Sequence, residues 1–285
     1  MKKAIVLPNI LKDPSLRVTS TVVNKLIGLD VEVYLSEEYL HNNIFGVTYY
    51  SELPSDADLI IVIGGDGSVI DASRLSLQLE LSLLGINIGK VGYLATLDPE
   101  RLELLSSVVE GKVSTEEKML LIAEKHSSDG RLLKSDRLAV NDVVICHDSY
   151  LGISEKKLEN GRGDVVQYRA DGIILATPAG STAYSLSAGG PIISHGLDSI
   201  TVTPICPHSF FNRSIVYGAD ERITITNMAE TSLNISIDAR LFDVLKKGES
   251  CTVYKSERRL RMINLEDTNL FSTLSKKIKL LHELV

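Results

Sequence analysis

The first hundred residues alternate short apolar runs with a segment of helical periodicity. Runs rich in Val, Ile and Leu cover residues 3–7, 31–35, 59–63 and 83–88. Between the first two runs, apolar residues recur at helical spacing from Leu16 to Ile27, and Gly28 follows where a helix would end. Because buried parallel strands have such continuous apolar runs, the pattern predicts an N-terminal doubly wound α/β domain.

After Asp98 and Pro99 the pattern changes to a short helix through about Val109 and then to many short strand-like runs. These candidate strands are 119–124, 138–145, 165–169, 173–177, 199–204, 223–227, 234–237 and 251–255. They predict a C-terminal β-sandwich domain. The last apolar stripe, which predicts a terminal helix that returns to the first domain, consists of Leu270, Phe271, Leu274, Ile278 and Leu281. We therefore expect an α/β domain of residues 1–98 and 266–285 and a sandwich domain of residues 99–265.

Composition narrows the function classes. The chain has 44% hydrophobic and 24% charged residues and a net charge of -7, so it has no basic footprint for nucleic acid. Phosphate ligands remain possible, because backbone amides and a few placed cations can hold them in an acidic protein. Cys146, Cys206 and Cys251 are too far apart in sequence to indicate a disulfide framework or a zinc site. With no long apolar segment either, we expect a soluble, cytoplasmic protein that does not enter a membrane.

The first candidate site is the turn Gly64-Gly65-Asp66-Gly67-Ser68, directly after the apolar run 59–63. Glycines allow backbone amides to approach a phosphate closely, and the N-terminus of a following helix favours anions. Open α/β sheets bind ligands at this edge. We therefore expect a phosphate site, with the alternative that Asp66 only caps the helix.

The second candidate is residues 168–192, which hold two glycine turns and seven Ser, Thr or Tyr residues. Hydroxyls and exposed amides suit ribose and amide groups, and Arg169 and Asp171 stand two apart, so that they would share one strand face. Such a surface fits a dinucleotide. The alternative is an elaborate hairpin whose hydroxyls only satisfy their own backbone.

The third candidate is the pair Asn141-Asp142, which interrupts the apolar run 138–145. An Asn amide and a carboxylate match an adenine edge and ribose hydroxyls, whereas a turn or bulge would explain the same pair without a ligand. His208 is either a polar tip of its loop or a ligand contact, and both interpretations stay open.

Together these stretches resemble the NAD kinase family, whose pattern joins GGDG, an Asn-acidic pair and TPxGSTAYxLSAGGPI. Residues 177–192 read TPAGSTAYSLSAGGPI, and residues 85–95 and 270–281 are also similar to the family, so the resemblance covers essentially the whole chain. GGDG alone is shared with lipid kinases and phosphofructokinases. The long third motif carries the specificity.

The resemblance implies transfer of the γ-phosphate of ATP, or of a polyphosphate phosphoryl group, to the 2'-hydroxyl of the adenosine ribose of NAD, giving NADP. Asp66 would be the general base. Amides of Gly64, Gly65, Gly67 and Ser68 would hold the donor phosphates. The implied NAD-binding residues are Asp66, Gly67, Asn141, Asp142, Arg169, Asp171, Thr182, Ala183, Tyr184, Ser185, Leu186 and Ser187.

A divalent cation such as Mg²⁺ is expected to accompany ATP, because the sequence offers no dedicated carboxylate cage. The resemblance also implies a homodimer or homotetramer. Two rivals remain. A lipid kinase built on the same turn would need an apolar pocket for acyl chains, and a non-catalytic dinucleotide-binding regulator would use Asp66 only to hold a ribose.

Two departures from the family pattern put nearby contacts in question. Asp238-Ala239-Arg240 stands where the family often has Asp-Gly-Gln, and Arg213-Ser214 stands where Arg-Pro is common. Arg240 would either contact a substrate phosphate or pair with a neighbouring carboxylate, that of Asp238 or Asp243.

Overall fold

The computed structural model describes residues 1–89, 92–147, 153–208, 212–265, 273–275 and 279. The chain forms two compact units. The first comprises Met1–Glu117 and the chain from Leu260 onward, and the second comprises Lys118–Arg259. These boundaries differ from the expected divisions at 98 and 265. The segment after Asp98 belongs to the first unit, because Leu105 and Val108 are buried in its core.

The first unit is built around a parallel sheet. Its elements are β1 (Lys3–Pro8), α1 (Arg17–Ile27), β2 (Glu32–Ser36), β3 (Thr48–Tyr50), β4 (Leu59–Gly64), α2 (Asp66–Leu79), β5 (Ser82–Asn87) and α3 (Leu105–Val109). The strands lie in the order β5, β4, β1, β2, β3, and all of these pairs are parallel. The predicted α/β fold is confirmed.

Strand β4 lies between β1 and β5, and all six of its residues are buried. The apolar face of α1, with Val22, Val23 and Leu26, belongs to the same core as Ile61 and Ile63 of β4. Burying each such side chain contributes about 1.5–3 kcal/mol. The glycine turn therefore follows a fully buried strand that is paired on both sides.

The remaining elements form the second unit, with β6 and β17 crossing the unit boundaries. They are β6 (Ser114–His126), β7 (Leu132–Ala139), β8 (Asp142–His147), β9 (Ser154–Asn160), β10 (Val165–Ala170), β11 (Gly172–Ala176), α4 (Tyr184–Ser187), β12 (Ser199–Ile205), β13 (Ile215–Gly218), β14 (Ile223–Asn227), β15 (Leu233–Ile237), β16 (Arg240–Leu245) and β17 (Ser250–Asn264).

One sheet of this unit has the order β13, β12, β11, β8, β15, β16, and every pair in it is antiparallel. In the other sheet β10, β9, β14 and β17 are neighbours. A single apolar core combines side chains of both sheets, such as Ile145 and Ile173 from one and Ile225 and Val253 from the other. The predicted β-sandwich is confirmed.

Three expectations for individual strands were wrong or incomplete. The single strand expected at 138–145 is two strands, because the chain bends at Val140 and Asn141. Strand β17 continues to Asn264, far beyond the expected 255. Strands β9, β13 and β16 were not predicted, since their sequences SEKKLEN, IVYG and RLFDVL lack a long apolar run.

The predicted terminal helix lies largely outside the described residues. Residues 273–275 and 279 are described and helical, and Leu274 is the one residue of the apolar stripe among them. Among the helices that the structure describes, none is long and apolar enough to cross a membrane.

Candidate active site

Asp66 is the first residue of α2, directly after β4. Its carboxylate does not cap its own helix, whose N-cap residue is Gly65. Instead, Oδ2 accepts the N–H of Tyr93 at 2.8 Å, and Oδ1 accepts those of Leu94 at 2.9 Å and Ala95 at 3.0 Å. The helix-cap interpretation is therefore wrong. A carboxylate has about four acceptor positions, so one position remains, on Oδ2.

The loop that supplies these amides approaches Asp66 only because residue 92 is glycine. A Cβ on Gly92 would overlap Oδ1 of Asp66 and would lie 3.1 Å from the carbonyl oxygen of Ala95. No side chain fits there without moving the carboxylate or the loop. Residues 92–95 thus fix the position of the Asp66 carboxylate.

The glycine turn is also supported from the loop after β1. Asn9 Nδ2 donates to Ser68 Oγ at 2.7 Å, and the Asn9 N–H donates to the carbonyl oxygen of Ile63 at 2.8 Å. Gly67, by contrast, is exposed, and a Cβ at this position would meet no described residue within 4 Å. The neighbours that the structure describes therefore do not explain why residue 67 is glycine.

A cavity of about 410 Å³ lies beside the same loop and is lined in part by Asn87, Gly89, Gly92, Ala95 and Arg101. This volume falls within the usual range of small-molecule sites. Gly92 lines the cavity and also packs on Asp66, so the same loop borders the cavity and holds the carboxylate.

In the second unit, Asn141 occupies the bend between β7 and β8. The Asp238 carboxylate accepts the N–H groups of Val140 at 2.9 Å, Asn141 at 2.8 Å and Asp142 at 3.2 Å. Thr177 Oγ1 donates to the carbonyl oxygen of Val140 at 2.6 Å. The structure thus has a bend at this pair, as the turn-or-bulge interpretation expects, and the ligand contact stays a prediction. Backbone groups that leave the strand ladder find their partners in the β15–β16 turn and in the 177–192 segment.

Asp142 follows the bend with only 4% of its surface exposed. Burial, and after it the negative charge of Asp238, raises the pKa of the Asp142 carboxyl to about 7. Carboxyls with such pKa values are concentrated at functional sites. At neutral pH this carboxyl can therefore gain or lose a proton when its surroundings change.

Part of the hydroxyl-rich segment stabilises itself. Ser181 Oγ donates to the carbonyl oxygen of Pro178 at 2.6 Å, and Thr182 Oγ1 bonds to the carbonyl oxygen three residues earlier at 3.1 Å. The hydroxyl of Ser185 lies 3.0 Å from that of Thr203. Ser181 and Thr182 therefore satisfy the backbone of their own segment, as the hairpin interpretation expects, whereas Ser185 bonds to a side chain of β12.

The short helix α4 presents the other residues of this segment. Tyr184, Leu186 and Ser187 are exposed, and Ala183 is half-buried. Burial raises the pKa of the Tyr184 phenol, and Asp142 and other acidic groups nearby add to the shift. The negative charge of Asp142 therefore reaches Tyr184.

Arg169 and Asp171 do not share a strand face, because β10 ends at Ala170 and Asp171 lies in the bend that follows. Oδ1 of Asp171 is 3.7 Å from Nε2 of His147. The carbonyl oxygen of Arg169 accepts the N–H of His208 at 2.7 Å. His208 itself is exposed, so its loop is tethered through the backbone.

A buried lysine, Lys156, supports the bend at Asp171. Its Nζ donates to the carbonyl oxygen of Ala170 at 2.7 Å and to that of Ser154 at 3.3 Å. Burial lowers the pKa of Lys156 to about 8, although Asp171 and Cys146 oppose the shift. The position of Asp171 therefore depends on an ammonium group inside the sandwich.

Comparison with known proteins identifies the family of both domains. Residues 36–113 match the model of the ATP-NAD kinase N-terminal domain, and residues 140–265 match that of the ATP-NAD kinase C-terminal domain. The NAD kinase of Natranaerobius thermophilus is 34% identical over 98% of this chain and 98% of its own length. The chain belongs to the NAD kinase family. It is accordingly a kinase.

Two solved structures of NAD(H) kinases have a similar fold. The yeast NADH kinase complexed with NADH matches with a TM-score of 0.85 at 20% identity, over 98% of this chain and 88% of its own. An NAD kinase from Archaeoglobus fulgidus in complex with ATP matches with a TM-score of 0.72 at 25% identity, over 96% and 99%. The first of these supports the fold alone.

The structure accommodates both departures from the family pattern. Ala239, where the NAD kinase family often has glycine, has a φ of 62° in the two-residue turn between β15 and β16. Ser214, where proline is common, places its Oγ 3.0 Å from Thr203 Oγ1. Arg240 begins β16 with an exposed side chain, while Asp243 pairs with lysines.

Sequence reasoning missed several residues that shape this kinase's candidate site. From the sequence, Asp238 was noted only within the stretch that departs from the family's Asp-Gly-Gln pattern. Asn9 and Gly92 were not singled out. The position of Asn9 directly after β1 could have predicted its role. The carboxyl ends of parallel strands lie at one edge of the sheet, so a residue after β1 lies near the turn after β4. The role of Asp238 had no signal, because its partners are 96 to 98 residues away.

Proposed function

We propose that this kinase transfers the γ-phosphate of ATP to the 2'-hydroxyl of the adenosine ribose of NAD, forming NADP, with Asp66 as the general base. A polyphosphate is the alternative donor. The observation that carries the proposal is the fixed carboxylate of Asp66, which keeps one acceptor position on Oδ2. A substrate hydroxyl that donates to this position would complete its coordination.

The turn beside Asp66 suits the donor phosphates. Backbone amides of Gly64, Gly65, Gly67 and Ser68 lie at the end of β4 and in the first turn of α2, where the helix dipole favours anions. None of the described residues lies within 4 Å of a Cβ at Gly67, which supports a space kept open for a ligand.

Residues of the second unit supply the polar groups that a dinucleotide requires. The half-buried Asn141 and the exposed Tyr184 and Ser187 are available for ribose, base or amide groups. Arg169, Asp171 and the buried Asp142 complete the proposed set. Ser185 and Thr182 hold the segment in shape, so we expect their hydroxyls to act on NAD through the position of α4.

We further propose that a divalent cation such as Mg²⁺ arrives with the donor, held by phosphate oxygens. No group of three His, Cys, Asp or Glu side chains that could hold an ion occurs among the described residues. The carboxylate of Asp66 already accepts three amide hydrogen bonds. The cation would neutralise phosphate charge, and the protein would contribute alignment.

Phosphoryl transfer passes through a loose transition state with little covalent work for the protein. Alignment of the acceptor hydroxyl with the γ-phosphate therefore supplies much of the catalysis. Asp66 first orients the hydroxyl and then accepts its proton as the bond to phosphorus forms. A positioned base of this kind contributes roughly 10²- to 10⁴-fold.

The test is an incubation of the purified protein with NAD, ATP and Mg²⁺, with NADP detected by a dehydrogenase that accepts only NADP. Formation of NADP supports the proposal. A lipid kinase or a non-catalytic dinucleotide-binding regulator would give none, and replacement of ATP by polyphosphate identifies the donor.

The variant Asp66→Asn should lower kcat by at least about 10². Two effects combine, because asparagine is a poor base and its NH₂ group cannot accept a backbone N–H. The matched control is Asp71→Asn, at an exposed position of the same helix. Near-normal turnover by Asp66→Asn would remove Asp66 from the chemistry.

Assembly into a homodimer or homotetramer and a cytoplasmic location complete the proposal. Light scattering of the purified protein measures the first, and fractionation of the producing cell measures the second.

A further inference from the structure

Lys12 places its ammonium group against the glycine turn. A Cβ built on Gly65 would overlap Lys12 Nζ, and one built on Gly89 would lie 3.6 Å from it. Nζ therefore lies on the surface of the turn, between the end of β4 and the loop after β5. Sequence reasoning did not single out this residue.

No carboxylate in the described part of the chain neutralises the ammonium group of Lys12. Its Nζ makes no hydrogen bond or ion pair with any residue that the structure describes. Other lysines differ, since Lys3 pairs with Glu32 at 3.4 Å and Lys125 pairs with Glu249 at 3.1 Å. The positive charge at the turn is available to an external anion.

The loop that carries Lys12 is held at both ends. The N–H groups of Lys12 and Asp13 donate to the carbonyl oxygen of Asn9 at 3.0 Å and 2.9 Å. The buried Asp13 carboxylate accepts both the N–H and the hydroxyl of Thr19 at 2.8 Å. Little backbone ordering remains to be done when an anion binds, which favours affinity.

We infer that Lys12 binds the phosphates of the phosphoryl donor, acting together with the backbone amides of the turn. An ammonium group is a compact point charge that suits phosphate oxygens and does not require one fixed geometry. The inference rests on the proposed function, because it assigns a residue to the donor subsite. It applies equally to ATP and to polyphosphate, since both present a chain of phosphates.

The experiment measures binding by isothermal titration calorimetry with two probes, ATP and inorganic tripolyphosphate, in the full-length protein. Lys12→Met should weaken both by at least about tenfold, since it removes a hydrogen bond between charged groups. Lys12→Arg should restore most of the affinity for both probes. NAD affinity should not change in either variant, and Lys25→Met, at an exposed position near the end of α1, is the matched control.

Several outcomes overturn the inference. Wild-type affinity of Lys12→Met for tripolyphosphate would do so, and so would a loss confined to ATP, which would assign Lys12 to the nucleoside. Loss of NAD affinity as well would indicate a general structural effect. The titrations are independent of turnover, so a protein that binds tripolyphosphate through Lys12 without forming NADP would refute the proposed reaction and leave the assignment of Lys12 standing.

Discussion

Replacing Asp142 by asparagine converts the buried carboxyl into a neutral group of the same shape. In the folded protein the pKa of this carboxyl is about 7, against an ordinary value of 3.8. At any pH between these two pKa values, the folded protein therefore holds a proton that the unfolded chain has lost. The contribution of this one carboxyl to stability is therefore greatest below about pH 4 and decreases as the pH rises toward 7.

The magnitude follows from the size of the shift. At 1.36 kcal/mol per pKa unit, the rise to about 7 corresponds to about 4 kcal/mol, of which about 3 kcal/mol falls between pH 4.5 and 8. Because asparagine does not titrate, the free energy of unfolding of Asp142→Asn should rise by about 3 kcal/mol relative to that of the wild type between pH 4.5 and 8. The gain corresponds to roughly 10 °C in Tm for a unit of this size.

Urea unfolding followed by circular dichroism at pH 4.5, 5.5, 6.5 and 8 measures the difference between the two proteins. Asp220→Asn is the control, because the Asp220 side chain is 98% exposed and should give curves parallel to the wild type. Parallel curves for Asp142→Asn would show that the burial of this carboxyl does not control its protonation, and the reasoning would be refuted.

Two further substitutions test the backbone at the candidate site. Gly92→Ala should lower kcat for NADP formation by about 10², because the new Cβ displaces the Asp66 carboxylate, whereas Gly196→Ala, with nothing near its Cβ, should be normal. Unchanged kcat would separate the loop from catalysis. Ala239→Gly should raise the free energy of unfolding by about 0.5–1 kcal/mol, because Ala239 has a φ of 62° and an exposed side chain. Destabilisation in urea would contradict it.

The sequence was informative where one local pattern determined the structure. Continuous apolar residues predicted β4, and the glycines directly after it predicted the turn that carries Asp66. The alternation of such runs with a helical segment was sufficient for the α/β unit. Family resemblance through residues 177–192 added the substrate, which no periodicity could have supplied.

The sequence was uninformative where distant residues decide the conformation. The bend at Asn141 depends on Asp238, and the orientation of Asp66 depends on the amides of Tyr93 to Ala95. Strand β9 contains the fully buried Lys156, a residue type that normally indicates solvent exposure. Its burial depends on backbone carbonyls that are brought together only by the folded sandwich.

Asp66 and Asp238 share one arrangement, since each carboxylate accepts the N–H groups of three consecutive residues. Neither asparagine, with one acceptor oxygen, nor glutamate, with a longer side chain, can reproduce it. In a saturation mutagenesis experiment scored by cell growth, both positions would accept only aspartate and would rank together. The same intolerance to substitution would then have two causes, because Asp66 would take part in the reaction and Asp238 would support the bend at Asn141. Turnover measured per folded molecule would separate the two causes.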